Sequence, residues 1–283
     1  MENRGRPQAR LNIIVGVALT MLAIATACLY LLRSGAPPFE PRTYIAVDKI
    51  RMPYRLYVPP AYTATKKYPL VIYLHGSDAI GTDNMKQITG YNLAGTRVWT
   101  TANNRKYFPA FVMAPQSYER YWALPGLKGP FREEQVVFEI IAELQKEFSI
   151  DSDRIYLIGQ SMGGFGTWAF LADRPDLFAA GVILCGPAVP TSAPRLARIP
   201  VWVFHGAKDD VVPVTNARQM VTLLRRVGGE PRYTEYPYLG HEIGPATFSN
   251  HELLEWLFSQ RRLFKRHGSN EQDVSPKLQH GRR

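Results

Sequence analysis

Cysteine is scarce in this chain, with Cys28 and Cys185 the only two in 283 residues. That excludes a small disulfide-stapled scaffold. Cys28 lies in an apolar run near the N-terminus and Cys185 at the expected end of a buried strand, so the two are not expected to pair, and they leave the redox compartment open. Glycine-rich phosphate cradles are also missing: neither G-x-G-x-x-G nor G-x-x-x-x-G-K-[ST] occurs. No His, Cys, Asp and Glu cluster has the spacing of metal ligands. The sequence therefore asks for no cofactor and no metal. A concentrated basic stripe is lacking too. The formal charge of +10 is spread out, with +3 in residues 1–35, +3 in residues 265–283, and both signs interspersed between. This is not the footprint of a nucleic-acid binder.

What is present is an ordinary globular balance of 46% apolar and 20% charged residues, preceded by one long apolar run. Residues 11–32 carry no charge across 22 positions, enough for a helix spanning about 30 Å of hydrocarbon. Arg4, Arg6 and Arg10 precede the run, which places the basic N-terminus (1–10) in the cytoplasm and the rest outside. Three readings stay open: a membrane anchor, a signal segment cleaved after Ala25-Thr26-Ala27, and a lipoprotein attached through Cys28. Each exports the domain to a periplasmic or extracellular location. A Pro-rich linker over 33–43 follows, and the folded domain is expected from Tyr44 to Phe264. The polar tail 265–283 lacks apolar periodicity and is expected to be disordered.

Within 44–264, Tyr54–Val58 alternates as a strand, and Leu70–Leu74 is a continuous apolar run suited to a strand buried on both faces. Ala110–Ala114, Arg154–Ile158, Ala179–Leu184 and Pro200–Phe204 have the same character, and Arg232–Tyr238 is strand-like. Helical patterns fall between them at Glu133–Phe148, Met162–Ala172, Asn216–Val227 and His251–Phe264. Strands alternating with helices predict an α/β fold, a mostly parallel sheet flanked by helices on both faces.

Gly159-Gln160-Ser161-Met162-Gly163 matches G-x-S-x-G, a pattern that chance alone would produce in about one chain in ten of this size. Here a strand precedes it and a helix follows, the context in which the serine sits on a tight turn at the carboxyl edge of a sheet. Ser161 is the predicted nucleophile. A serine hydroxyl needs an adjacent base held by a carboxylate, and in this architecture acid and histidine follow in chain order. His241, after a strand and the turn Leu239-Gly240, is the natural base. His205 ends an apolar strand and reads as buried and structural; His251 opens a helix, and His267 and His280 fall in the tail. The acid is Asp209, with adjacent Asp210 its rival. The oxyanion donors are expected to be the backbone N–H groups of Met162 and Ser77, the latter in the turn His75-Gly76-Ser77, where His75 braces the loop. Tyr118, Tyr121 and Trp122 are candidates for an aromatic substrate wall, and Gln160 and Ile243 complete the expected pocket. No insertion between Ala172 and Pro200 is long enough for a large lid.

Leu56-Tyr57-Val58-Pro59, Tyr68 to Gly76, Asp153 to Tyr156, residues 159–168 (GQSMGGFGTW), residues 200–214 (PVWVFHGAKDDVVPV) and Tyr238 to His241 together resemble the bacterial predicted-peptidase branch of the α/β-hydrolases. That branch is related to dienelactone hydrolases, feruloyl esterases and polyhydroxybutyrate depolymerases. The resemblance covers residues 44–264 and implies a Ser161-Asp209-His241 triad and hydrolysis of small-molecule or oligomeric carboxylic esters. Two stretches depart from it: Glu242-Ile243-Gly244 after the histidine, and Ser77 to Gly81 after the glycine. The rivals are a serine peptidase or amidase on the same triad, an acyltransferase, and a non-catalytic envelope binding protein.

Overall fold

Leu70–Leu74, read above as a strand covered on both faces, lies at the centre of an eight-stranded sheet. The computed structural model describes residues 38–118, 122 and 131–262. The strands are β1 (Glu40–Ile45), β2 (Arg51–Tyr57), β3 (Tyr68–Leu74), β4 (Phe111–Pro115), β5 (Ile150–Gln160), β6 (Ala180–Leu184), β7 (Val201–Gly206) and β8 (Arg232–Tyr236). Their order is β1-β2-β4-β3-β5-β6-β7-β8. The β1–β2 and β2–β4 pairs are antiparallel, and every pairing from β4 to β8 is parallel. The described helices are α1 (Leu93–Arg97), α2 (Ala102–Tyr107), α3 (Arg132–Glu147), α4 (Met162–Asp173), α5 (Ala193–Leu196), α6 (Thr215–Arg226), α7 (Gly244–Phe248) and α8 (His251–Ser259).

Strand alternation divides the interior into two cores. Leu70, Ile72 and Leu74 pack on one face with Val136, Ile140 and Leu144 of α3, Phe170 and Leu171 of α4, and Met220 and Leu224 of α6. Val71 and Tyr73 point to the other face, with Val98, Trp99 and Leu253, Leu254 and Leu257 of α8. Completely buried side chains of this size each stabilise the fold by about 1.5–3 kcal/mol. The sheet is therefore a rigid platform whose strand ends present loops at one edge.

Two boundaries differ from the sequence reading. The domain starts before Tyr44, because β1 begins at Glu40, pairs with Leu56 of β2, and follows a buried Phe39. Pro41 hides this strand from a Pro-rich linker reading, yet an edge strand tolerates proline. The last helix stops at Ser259, where Gln260 turns extended and caps Trp256 O with its Nε2. The stretch 77–107, which shows no periodicity, is built from short 3-10 turns and α1 and α2. Among the described residues no helix is long and apolar enough to cross a membrane. The predicted 11–32 segment, the linker up to residue 37, Tyr121 and the tail 265–283 lie outside the described residues.

Candidate active site

β5 ends at Gln160 and α4 begins at Met162, so Ser161 alone makes the strand-to-helix turn. Its φ of 56° and ψ of −117° are strained for a residue with a side chain, a state that costs about 1–3 kcal/mol and persists only where surroundings enforce it. They do so here. Ser161 N–H donates to Leu184 O at 2.8 Å, and its carbonyl accepts Phe165 N–H at 3.0 Å. The flanking glycines permit the close approach: a Cβ on Gly163 would lie 2.0 Å from Leu74 O, and one on Gly159 2.1 Å from Gly163 O.

The loops after β7 and β8 are tied to each other. Ala207 N–H donates to Tyr236 O at 2.9 Å, Lys208 N–H to Leu239 O at 2.9 Å, and a Cβ on Gly206 would meet Gly240 O at 2.1 Å. This binding aligns residues 32 positions apart. His241 Nδ1–H donates to Asp209 Oδ2 at 2.8 Å, and His241 Nε2 accepts from Ser161 Oγ at 2.9 Å. The Asp209 side chain is wholly buried. Its Oδ1 accepts the backbone N–H groups of Val211 (2.9 Å) and Val212 (2.8 Å), and its Oδ2 lies 3.1 Å from His205 Nε2. Asp210 is exposed. His205 is buried as expected; its Nε2 bonds to Val212 O at 2.9 Å, while Nδ1 has no partner among the described residues. Cys185 is buried and free, and its thiol lies 3.2 Å from His241 O. Burial pushes that thiol well above its ordinary range. Cys185 Sγ, an Asp209 oxygen and a His241 nitrogen come within 4.8 Å of one another. Both His241 nitrogens are already engaged by Asp209 and Ser161, so this set suits a proton relay better than a metal.

Across the serine, the 3-10 turn Ser77–Ala79 follows Gly76. An ideal Cβ on Gly76 would be 3.8 Å from Ser161 Cβ, so this loop runs beside the serine. The amides of Ser77 and Met162 donate to no acceptor among the described residues. His75 braces the loop from beneath: Ser117 N–H donates to its Nε2 at 2.9 Å, leaving the proton on Nδ1 for Gly76 O at 2.6 Å. Burial lowers the pKa of this imidazole to about 4, which keeps it neutral. Asn92, missed by sequence reasoning, braces the loop from the side. Its Oδ1 accepts Gly76 N–H at 3.2 Å and its Nδ2 donates to Asp78 Oδ2 at 3.1 Å. No sequence signal marks Asn92, since it sits in the irregular stretch without periodicity.

A cavity of about 310 Å³ opens over Ser161 and His241. Ser77 and Gln160 line it, with Asp78, Tyr91, Asn92, Val211 and Glu242, none of which the sequence had singled out for a pocket. Three expected wall residues do not line it. Trp122 is fully buried, donates Nε1–H to His75 O at 3.0 Å, and packs edge-on against His75. Gly166 leaves the slot that its indole fills, a Cβ there lying 2.5 Å from Trp122 Cβ. Ile243 is likewise fully buried, in the core on the opposite face of the sheet from α3. Tyr118 is half-buried against the α3 side, its N–H held by Glu133 at 3.0 Å, and it does not line the cavity.

A family model described as "Putative esterase" matches residues 48–235. The bifunctional acetylxylan esterase/xylanase XynS20E of Neocallimastix patriciarum is 30% identical over 144 residues, 51% of this chain and 20% of that protein. A protein described as "Probable feruloyl esterase C" from Aspergillus terreus is 24% identical over 59% of this chain and 58% of its own length. The crystal structure of a thermostable esterase aligns with a TM-score of 0.73 at 38% identity, covering 79% of this chain and 63% of the other. The chain thus spans less than two thirds of the length of each of these proteins.

Proposed function

Since the chain belongs to the Esterase family, in the esterase branch of the α/β-hydrolases, we propose that it hydrolyses small-molecule carboxylic esters through an acyl-enzyme on Ser161. The observation that carries this reading is the unbroken chain from Ser161 Oγ to His241 to the buried Asp209, at 2.9 and 2.8 Å, at the floor of an open cavity. His241 takes the hydroxyl proton on Nε2 as Ser161 attacks the ester carbonyl, and the bond to Asp209 stabilises the resulting imidazolium. The oxyanion of the tetrahedral intermediate is received by the amides of Met162 and Ser77. Removing one such donor typically costs about 100- to 1,000-fold in kcat. His241 then protonates the departing alcohol. Water, deprotonated by the same histidine, releases the acid. The apolar run 11–32 and its preceding arginines support placing the catalytic domain outside the cytoplasm.

A fluorophosphonate should label the whole chain at Ser161, and Ser161→Ala should abolish labelling; labelling at another residue sinks the nucleophile assignment. A panel of p-nitrophenyl esters and aminoacyl p-nitroanilides should show turnover confined to the esters. Faster turnover of the amides would make this a peptidase.

A further inference from the structure

The charged side chains that line the cavity over Ser161 include two carboxylates. Asp78 and Glu242 are exposed at it, and among the described residues no lysine or arginine lines it. Elsewhere on the surface, carboxylates are commonly paired with arginine, as in Arg42–Glu147, Arg132–Asp48, Arg174–Asp176 and Arg218–Glu235. Asp78 has no cationic partner and only Asn92 Nδ2 as donor, and Glu242 makes no hydrogen bond or ion pair among the described residues. Two carboxylates without a cation beside them among the described residues set up a local negative potential at the cavity that the chain's overall positive charge does not cancel at short range.

Gln160 supplies an independent observation. It lines the same cavity next to the serine, is only 6% exposed, and its amide enters no hydrogen bond among the described residues. Its Oε1 is fully buried and unpartnered. A buried amide oxygen without a donor is costly, and the cost is recovered when a donor arrives. Gly244 lies opposite: a Cβ there would stand 3.0 Å from this oxygen, so the glycine avoids crowding it.

From this we infer that the cavity selects esters by the groups flanking the carbonyl, taking those that bring hydroxyl or ammonium donors and excluding those that carry a carboxylate or phosphate. Gln160 receives the donor, and Asp78 and Glu242 repel the anion. The inference rests on the ester-hydrolase reading of Ser161.

The test uses the full chain and two matched substrate series. In the first, p-nitrophenyl butyrate is compared with its 4-trimethylammonio and 4-carboxy analogues. At low salt the anionic ester should have a kcat/KM about tenfold below the neutral one and the cationic ester at or above it, with the gap shrinking in 0.5 M salt as screening takes hold. Glu242→Gln, a change at an exposed side chain, should narrow the anion penalty about fivefold. In the second series, 2,3-dihydroxypropyl acetate is compared with propyl acetate, and Gln160→Leu should lower their kcat/KM ratio about tenfold. Equal turnover of anionic and neutral esters by the wild-type chain, or ratios unmoved by either variant, overturns the inference. Fluorophosphonate labelling of Ser161 in every sample separates the two levels. Labelling with flat ratios refutes the selectivity alone, and absence of both labelling and turnover refutes the esterase reading and this inference with it.

Discussion

Replacing Asp209 by asparagine tests the relay at the point where the sequence left two candidates. The Asp209 carboxylate receives three donors: His241 Nδ1–H and the amides of Val211 and Val212. Asparagine keeps the volume and one acceptor oxygen, which the two backbone amides at Oδ1 would hold. Its NH2 would then face His241 Nδ1–H, donor against donor. His241 escapes that conflict by moving its proton to Nε2, the tautomer that cannot accept from Ser161. Loss of the correct tautomer and of imidazolium stabilisation together costs about 10⁴ in kcat in enzymes of this type. At about 1.4 kcal/mol per decade, that is about 5 kcal/mol of transition-state stabilisation. Asp210 is exposed and has no hydrogen bond among the described residues, so Asp210→Asn should stay within about 0.5 kcal/mol, or twofold. The assay is kcat for p-nitrophenyl acetate under saturating conditions, with melting curves to show that both variants fold. A hundredfold loss at Asp210 with Asp209→Asn within tenfold of wild type would refute the assignment.

Other perturbations follow from buried groups around the site. Asn92→Ala removes the acceptor for Gly76 N–H and the donor to Asp78, and should lower kcat by about tenfold or more with a smaller change in KM, because a loosened loop misplaces the Ser77 amide; unchanged kcat would separate Asn92 from the loop. Gly163→Ala brings a Cβ to 2.0 Å from Leu74 O and should cost more than about 4 kcal/mol, read as loss of soluble protein or a collapsed Tm. Glu134 is completely buried with neither oxygen hydrogen-bonded, and burial, aided by the charge of Asp173, raises its pKa from 4.5 to about 8. Below pH 4.5 both folded and unfolded chains hold that proton; between 4.5 and about 8 only the folded chain does, so stability falls as pH rises through this window, by up to about 1.4 kcal/mol per unit. Urea titrations of Glu134→Gln should match wild type near pH 4 and exceed it at pH 8 by a few kcal/mol; parallel pH profiles for the two proteins would remove Glu134 as the source.

The contrast between what the sequence disclosed and what it concealed has a physical basis. Strands buried on both faces cannot avoid continuous apolar runs, so β3 to β7 were readable, and with them the positions after β5, β7 and β8 where Ser161, Asp209 and His241 sit. Chain order and the close-packing glycines then left few alternatives. Asp209 and Asp210 are equivalent by composition and differ only in which one the turn after Gly206 buries, a choice made by the Val211 and Val212 amides. Trp122 and Ile243 could not be sorted into wall or core by residue type, because an aromatic or aliphatic side chain serves either. What decides Trp122 is a slot created by Gly166, 44 positions away, and a hydrogen bond to His75 O. Asn92 and Asp78 belong to a stretch of 3-10 turns with no repeat for periodicity to detect, although they shape the loop beside the serine. The proposed reaction chemistry is therefore carried at the ends of regular elements whose patterns show in the sequence. On the proposed reading, substrate selection is carried by irregular segments packed on them, and Gln160 joins the two: its position is set by the strand, and its amide oxygen sits against Gly244, outside the sheet.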